Sequence, residues 1–242
     1  MGLLINTIRV VLEILLTVTF AELIAGMVHW FEDAYVREDT PLIGPLLGRP
    51  NVIHHHFPRH MTRNNWWQSS YDLVLFNVCL LVTCWLIHTL TWQVWLFAIL
   101  TTNANEMHKW THRNRKENGP VISLLHDLHI LQTPKHHLIH HKDPKNSHYC
   151  TMTNVLNPVL DAIHFWEALE WILARTFGLR RRPDTSLRSA GGELPDWLKE
   201  AVAPRATLPN RSKLVDCVDR GTPASYRSPL QPSHAAASDQ IS

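Results

Sequence analysis

Charge is missing from one long part of this chain: from Leu73 to Asn105, 33 residues pass without an Asp, Glu, Lys or Arg. One continuous helix of that length would reach about 50 Å, well past the roughly 30 Å hydrocarbon core of a bilayer. The run therefore reads as a helical hairpin turning near His88-Thr89-Leu90-Thr91, with Trp85, Trp92 and Trp95 as interfacial anchors. Cysteine is also scarce. Cys79, Cys84, Cys150 and Cys217 form no C-x-x-C pair, which excludes a disulfide framework and leaves reduced, structural thiols. Nor is there an excess of one charge sign: the formal net charge is only +2, so nothing marks a nucleic-acid partner.

An earlier apolar segment, roughly Ile8 to Trp30, makes a third span despite Glu13 and Glu22. A carboxyl in a span is expensive and faces a partner or a polar cavity; Glu22 is either a group supporting a site or a helix-packing residue. No small-residue cleavage site follows this segment, and Asn6 breaks the myristoylation pattern. Basic residues set a direction. Arg37, Arg49, Arg59 and Arg63 precede the hairpin, Lys109, Arg113, Arg115 and Lys116 follow it, and the N-terminus offers only Arg9. The positive-inside rule then puts the loop, the post-hairpin segment and the C-terminus on the cytoplasmic side, in a bacterial inner membrane or the endoplasmic reticulum.

Val121 to Leu131 is too short and polar to span and reads as an interfacial or re-entrant helix; Asn154 to Phe177 reads as one amphipathic helix. The expected fold is an all-α integral membrane protein: about three transmembrane helices plus amphipathic or interfacial helices. It divides into a domain over 1–182 and, over 183–242, a flexible, disordered tail without catalytic content, apart from a short helix candidate from Leu194 to Val202.

What the chain has in abundance is histidine, 17 in all. His54-His55, His108-x-x-x-His112 and His136-His137-x-x-His140-His141 are clusters at metal-ligand spacings, and His29 closes the first span. Residues four apart share a helix face, so His108 and His112, His136 and His140, and His137 and His141 can each grip one ion. With the expected topology all nine lie at one membrane face. A catalytic zinc takes three protein ligands and a structural zinc four, so nine imidazoles imply two ions. Softness alone leaves Fe, Zn, Cu and Ni open.

At these residues the sequence resembles a known family. Arg49-Pro50-x-x-x-His54-His55-x-x-Pro58-x-x-x-Thr62-Arg63 is similar to the signature loop of the Kua/CarF lipid desaturases. Also similar are His29-Trp30-x-x-Asp33, Asn105-x-x-His108-Lys109-Trp110-x-His112, and the His136–His141 cluster followed by Tyr149-Cys150. The likeness runs in order from about Glu22 to Arg182. It implies an O2-dependent lipid desaturase with two iron ions, a phospholipid substrate, and an electron donor of the cytochrome b5 or ferredoxin type. In the family's ether-lipid branch the product is the vinyl ether of a plasmalogen, made from plasmanylethanolamine; in its plant branch an acyl chain is desaturated. The nine clustered histidines carry over as metal ligands. Asn64 and His148 depart from the animal pattern, while His129 is shared more with the ether-lipid branch, which tilts the reading that way. Two H-x-x-H-H boxes in the acyl-desaturase order are not matched.

The remaining candidates have two readings each. Asp33 could hold the other nitrogen of His29 or cap a helix end, and His129 could orient a ligand. Arg49, Arg63 and Lys135 could bind a lipid phosphate or serve as positive-inside anchors. A hydroxylase on the same cluster is the near alternative, and a metal transporter or sensor the distant one. The latter predicts acidic or histidine residues along the spans, whereas Leu73 to Asn105 offers only His88 and neutral polar residues.

Overall fold

In the computed structural model, residues 1–142, 144–182 and 194–203 are described, and all their regular structure is helical. Helix α1, Gly2–Tyr35, has 34 residues and so extends about 50 Å, longer than a bilayer core. Its two halves differ. The first exposes Leu3, Leu4, Ile8, Leu12, Leu15 and Leu16, an apolar surface left open by the other described elements. The second buries Ala21, Glu22, Gly26, His29, Trp30, Asp33 and Ala34, which recur every three or four positions along one face. Gly26 is required there: a Cβ would stand 2.6 Å from the Cys150 sulfur.

Helices α3 (Trp66–Leu86) and α4 (Trp92–Thr102) form the charge-free hairpin. A reciprocal cap between Asn65 and Gln68 starts α3, and the reversal passes through His88, whose φ is 58°. Both α1 and α3 pack on α4. Polar groups in this apolar layer find partners in one another. Gln93 donates to Glu13 at 2.9 Å, Asn77 donates to Thr102 at 3.0 Å, and Thr101 donates to Asn77 at 3.0 Å. Helices α1 and α3 are long and apolar enough to cross a membrane. Helix α4, with 11 residues, is shorter, but only Asn103 separates it from α5 (Ala104–Thr111). Exposed Leu75, Phe76, Val78, Val82, Trp85 and Ile99 continue the apolar belt begun on α1. A surface of this extent and character marks a membrane-associated protein.

Short helices pack at the far end of α1. Helix α2 (Arg49–His56) follows a π-helical turn over Gly44–Gly48 and precedes a 3-10 turn over Pro58–Arg63. Helix α6 (Arg115–Asp127) bends at Gly119, φ 72°, before Pro120. Helix α7 is Pro134–His140, with Thr133 capping the amide of His136. The expected single helix over 154–177 is instead two, α8 (Leu156–Ala162) and α9 (Phe165–Phe177), separated by His164 at φ 53°. Its apolar repeat is the same on both sides of the break, so periodicity does not reveal it.

Within the expected tail, Leu198 of α10 (Asp196–Val202) and Leu194 just before it pack against Val52 of α2. It belongs to the same compact unit as the helices before it, Met1–Val202. The rest of the expected tail, residues 183–193 and 204–242, lies outside the described residues.

Candidate metal centre

The site is assembled where helices end. His29 and Asp33 lie in the last two turns of α1; His54 and His55 are in the last turn of α2. His112 is the C-terminal cap of α5, and His141 that of α7. Helix C-termini carry partial negative charge from unpaired carbonyls, so this convergence favours a bound cation.

Two ligand groups result. His54, His108, His112, His137 and His141 bring one nitrogen each to within 4.8 Å of one another, and His29, Asp33, His55 and His140 do the same with three nitrogens and a carboxylate oxygen. In the second group Asp33 lies 3.1 Å from His55 Nε2, 3.3 Å from His140 Nε2 and 3.8 Å from His29 Nε2. In the first, His137 Nε2 lies 2.9 Å from His108 Nε2 and 3.1 Å from His141 Nε2. Ligands each about 2.1 Å from one ion sit about 3.0 Å apart in octahedral geometry and about 3.4 Å apart in tetrahedral geometry. The spacings fit ligand sets of that size. The groups adjoin: the rings of His29 and His108, one from each, are centred 5.2 Å apart.

Orientation supports ligation. His29 donates through Nδ1 to the Tyr149 carbonyl, and His140 through Nδ1 to the Ser147 carbonyl, both at 2.9 Å. A carbonyl only accepts, so each Nδ1 holds the proton and each Nε2 keeps a free lone pair aimed into the group. Nε2 of His29, His54, His55, His112 and His140 is buried without a hydrogen-bond partner. Several buried unpaired nitrogens at one place need an explanation, and a metal ion supplies one. Burial also favours the neutral form of several rings of the two groups. It holds His54, His108, His137 and His141 well below the usual imidazole range, with neighbouring imidazoles adding to the effect. His112 is brought to about 3 by burial and by His140. Neutral imidazole is the ligating form.

Not every expected residue joins. His136 stands outside both groups; its ring lies 5.0 Å from that of His148, and its Nε2 is 3.4 Å from the Asn157 amide nitrogen. His148 in turn pairs with Asp161 at 2.5 Å. His129 is exposed and donates to the Asp127 carbonyl at 3.1 Å. The Glu22 carboxylate accepts from Thr153 Oγ1 at 2.7 Å and from its amide at 2.8 Å, tying α1 to the chain after α7. Arg49, Arg63 and Lys135 are exposed.

Other residues support the centre without having been singled out by spacing. Asn51, one turn before His55, donates to Asp33 at 2.7 Å. Arg59 donates to the His112 carbonyl at 2.9 Å and to Glu117 at 2.7 Å. Lys109, fully buried beside His108, bonds Glu106, the Asn64 carbonyl at 3.0 Å and Ser69 at 3.2 Å. Asn51 and Lys109 fall inside the histidine motifs; that a polar residue there is buried is visible only in three dimensions.

Comparison with known proteins adds to this geometry. Residues 18–184 match the lipid desaturase domain. The chain is 30% identical over 192 residues to plasmanylethanolamine desaturase 1 of Mus musculus, covering 74% of this chain and 70% of that one. It is 30% identical over 167 residues to the chloroplastic fatty acid desaturase 4-like 1 of Arabidopsis thaliana, covering 66% and 55%. To the plasmanylethanolamine desaturase of Myxococcus xanthus it is 27% identical over 180 residues, covering 71% and 63%. The chain thus spans less than two thirds of the length of the second and third of these relatives. No solved structure matches it. With the match over most of its helical part and the likeness to the mouse protein, this chain belongs to the lipid desaturase family.

Proposed function

We propose that the two ligand groups hold a pair of iron ions and that the protein is an O2-dependent desaturase of an ether phospholipid, forming the vinyl ether of a plasmalogen from a plasmanylethanolamine. The observation that carries the reading is the pair of adjoining groups, one of five imidazoles and one of three imidazoles with Asp33. The residues fit the ions: unpaired Nε2 atoms converge, and a nitrogen-and-carboxylate shell suits iron among the first-row metals. Bound iron would supply O2 activation strong enough to remove hydrogen from an unactivated C–H bond. The overall change balances as one –O–CH2–CH2– unit, O2, two electrons and two protons giving –O–CH=CH– and two waters. The electrons come from an external donor of the cytochrome b5 or ferredoxin type.

The protein's own part is placement. His29, Asp33, His55 and His140 would hold one ion, and His54, His108, His112, His137 and His141 the other. The carbonyls of Tyr149 and Ser147 fix two of the imidazoles in their ligating tautomer. Three spans, α1, α3 and α4 continued by α5, would bring the centre to the cytoplasmic face, in line with the distribution of Arg and Lys. A chain rising from the lipid could then pass the ions, and its fixed position would select one C–H bond. Arg49, Arg63 and Lys135 are available on the surface for the phosphate.

The test is to incubate iron-loaded protein with an alkyl-ether phospholipid, O2 and a reducing system. Acid-labile vinyl ether is the expected product. Similarity to the Arabidopsis relative supports a second reading, desaturation of an acyl chain; an acyl phospholipid in the same assay separates the two. Product mass distinguishes either from hydroxylation. No oxidised product from either lipid contradicts the proposal.

A further inference from the structure

Beyond residues 18–184, the part that matches the family, one described helix reaches the ligand-bearing region: α10 lies on the outer face of α2. Leu198 is fully buried and Leu194 nearly so, packed with Val52, Ile53 and Phe57. Trp197 places its ring 5.7 Å from the Arg49 guanidinium. Helix α2 has eight residues and no side-chain cap at its start, and α10 has seven. Helices this short do not persist in water by themselves, because nucleation is too costly. Their facing apolar side chains stabilise both. The inner face of α2, meanwhile, carries Asn51, His54 and His55, with Asn51 bonded to Asp33. One short helix is thus gripped from the metal side and from behind.

We infer that α10 is a clamp and that Leu198 and Trp197 are positioning residues, fixing the rotation of α2 so that His54 serves one ligand group and His55 the other. Successive residues on a helix differ by about 100° in direction, so a modest rotation of α2 misdirects both imidazoles at once. Attachment favours the clamp. Eleven residues separate Leu194 from Arg182, whose amide donates to the Ala34 carbonyl at the end of α1. Because both ends belong to one chain, docking is intramolecular. A small apolar contact is then enough to hold it.

The metal consequence rests on the proposed ligand roles of His54 and His55, whereas the mechanical one does not, so the experiment reads both. Amide hydrogen exchange is followed in the full-length, iron-loaded protein and in Leu198→Asp, Leu198→Ala and Trp197→Ala variants, with iron per chain measured alongside. Slow exchange is expected in wild-type α10. Leu198→Asp is expected to speed exchange at Val52–His56 tenfold or more, leave α9 unchanged and lower bound iron; the two alanine variants give smaller changes in the same direction. Should Leu198→Asp fail to accumulate, the alanine variants carry the comparison. Free-coil exchange of wild-type α10, unchanged protection of α2 in the variants, or equal acceleration in α9 overturns the clamp. Wild-type protein that binds no iron while α10 protects α2 contradicts the ligand reading and leaves the clamp standing.

Discussion

His140 and His141 are neighbours in sequence, yet their imidazoles enter different ligand groups, with ring centroids 5.3 Å apart. His54 and His55 divide in the same way, at 5.7 Å. Two backbone segments thereby stitch the groups together, so that a shift in α2 or α7 disturbs both.

Replacing the two members of the His140–His141 pair one at a time should therefore separate the two proposed ions chemically. His140→Ala removes a ligand from the group containing Asp33, and His141→Ala removes one from the all-histidine group. Each is expected to reduce lipid desaturation by more than about 100-fold, since even residues that only support a metal ligand cost 10–100-fold when changed. Iron analysis with spectroscopy of the two variants should show different residual sites. Identical residual spectra would argue that the histidines hold one shared ion.

Asn51 bears on the proposed metal site through its hydrogen bond to Asp33. Asn51→Ala leaves the Asp33 oxygen without its buried donor, a loss of about 1–3 kcal/mol for an unsatisfied group. Iron affinity is expected to fall roughly 10–100-fold while the fold is retained. Unaltered affinity, measured by competition with a chelator, would show that Asp33 needs no such orientation.

Lys109 and Glu106 form an ion pair buried beside His108. Breaking such a pair strands a charge in the interior and costs about 3–5 kcal/mol, whereas replacing both partners costs much less. Thermal unfolding in detergent should show Lys109→Met as strongly destabilised and Lys109→Met with Glu106→Gln as partly recovered. Equal stability of the single and double variants would remove the pair from the account.

Acid should destabilise the metal-free protein. His54, His55, His108, His112, His137 and His141 are all lowered by burial, so the unfolded chain takes up protons near its ordinary value of about 6.5 while the folded site does not. Their contribution is intact above that value and is lost as pH falls toward the folded values, which for His112 is about 3. Chelator-treated protein is thus expected to lose melting temperature steadily below about pH 6.5. A flat profile between there and pH 4 would contradict burial of neutral imidazoles.

Much of this was legible in the sequence because each signal is local. The charge-free run marked the hairpin, and its turn falls between Leu86 and Trp92 as the tryptophans and His88 suggested. Clustering identified four stretches that do meet. Ligand selection within a cluster was not local. The i, i+4 rule is satisfied equally by His136 with His140 and by His137 with His141, and only the tertiary structure shows that His136 turns toward His148 and Asn157 of α8. Asp33 had two equal readings until His55 and His140 were seen beside it. The docking of α10 was invisible for a related reason: Leu198 finds its partner, Val52, across most of the chain.

The most direct measurement is the metal content of the purified full-length protein, determined by elemental analysis and Mössbauer spectroscopy after expression with labelled iron. Two irons per chain are predicted, magnetically coupled as adjoining ions are, and removed together with activity by a chelator. A single zinc, or one isolated iron, would contradict the paired centre on which the account rests.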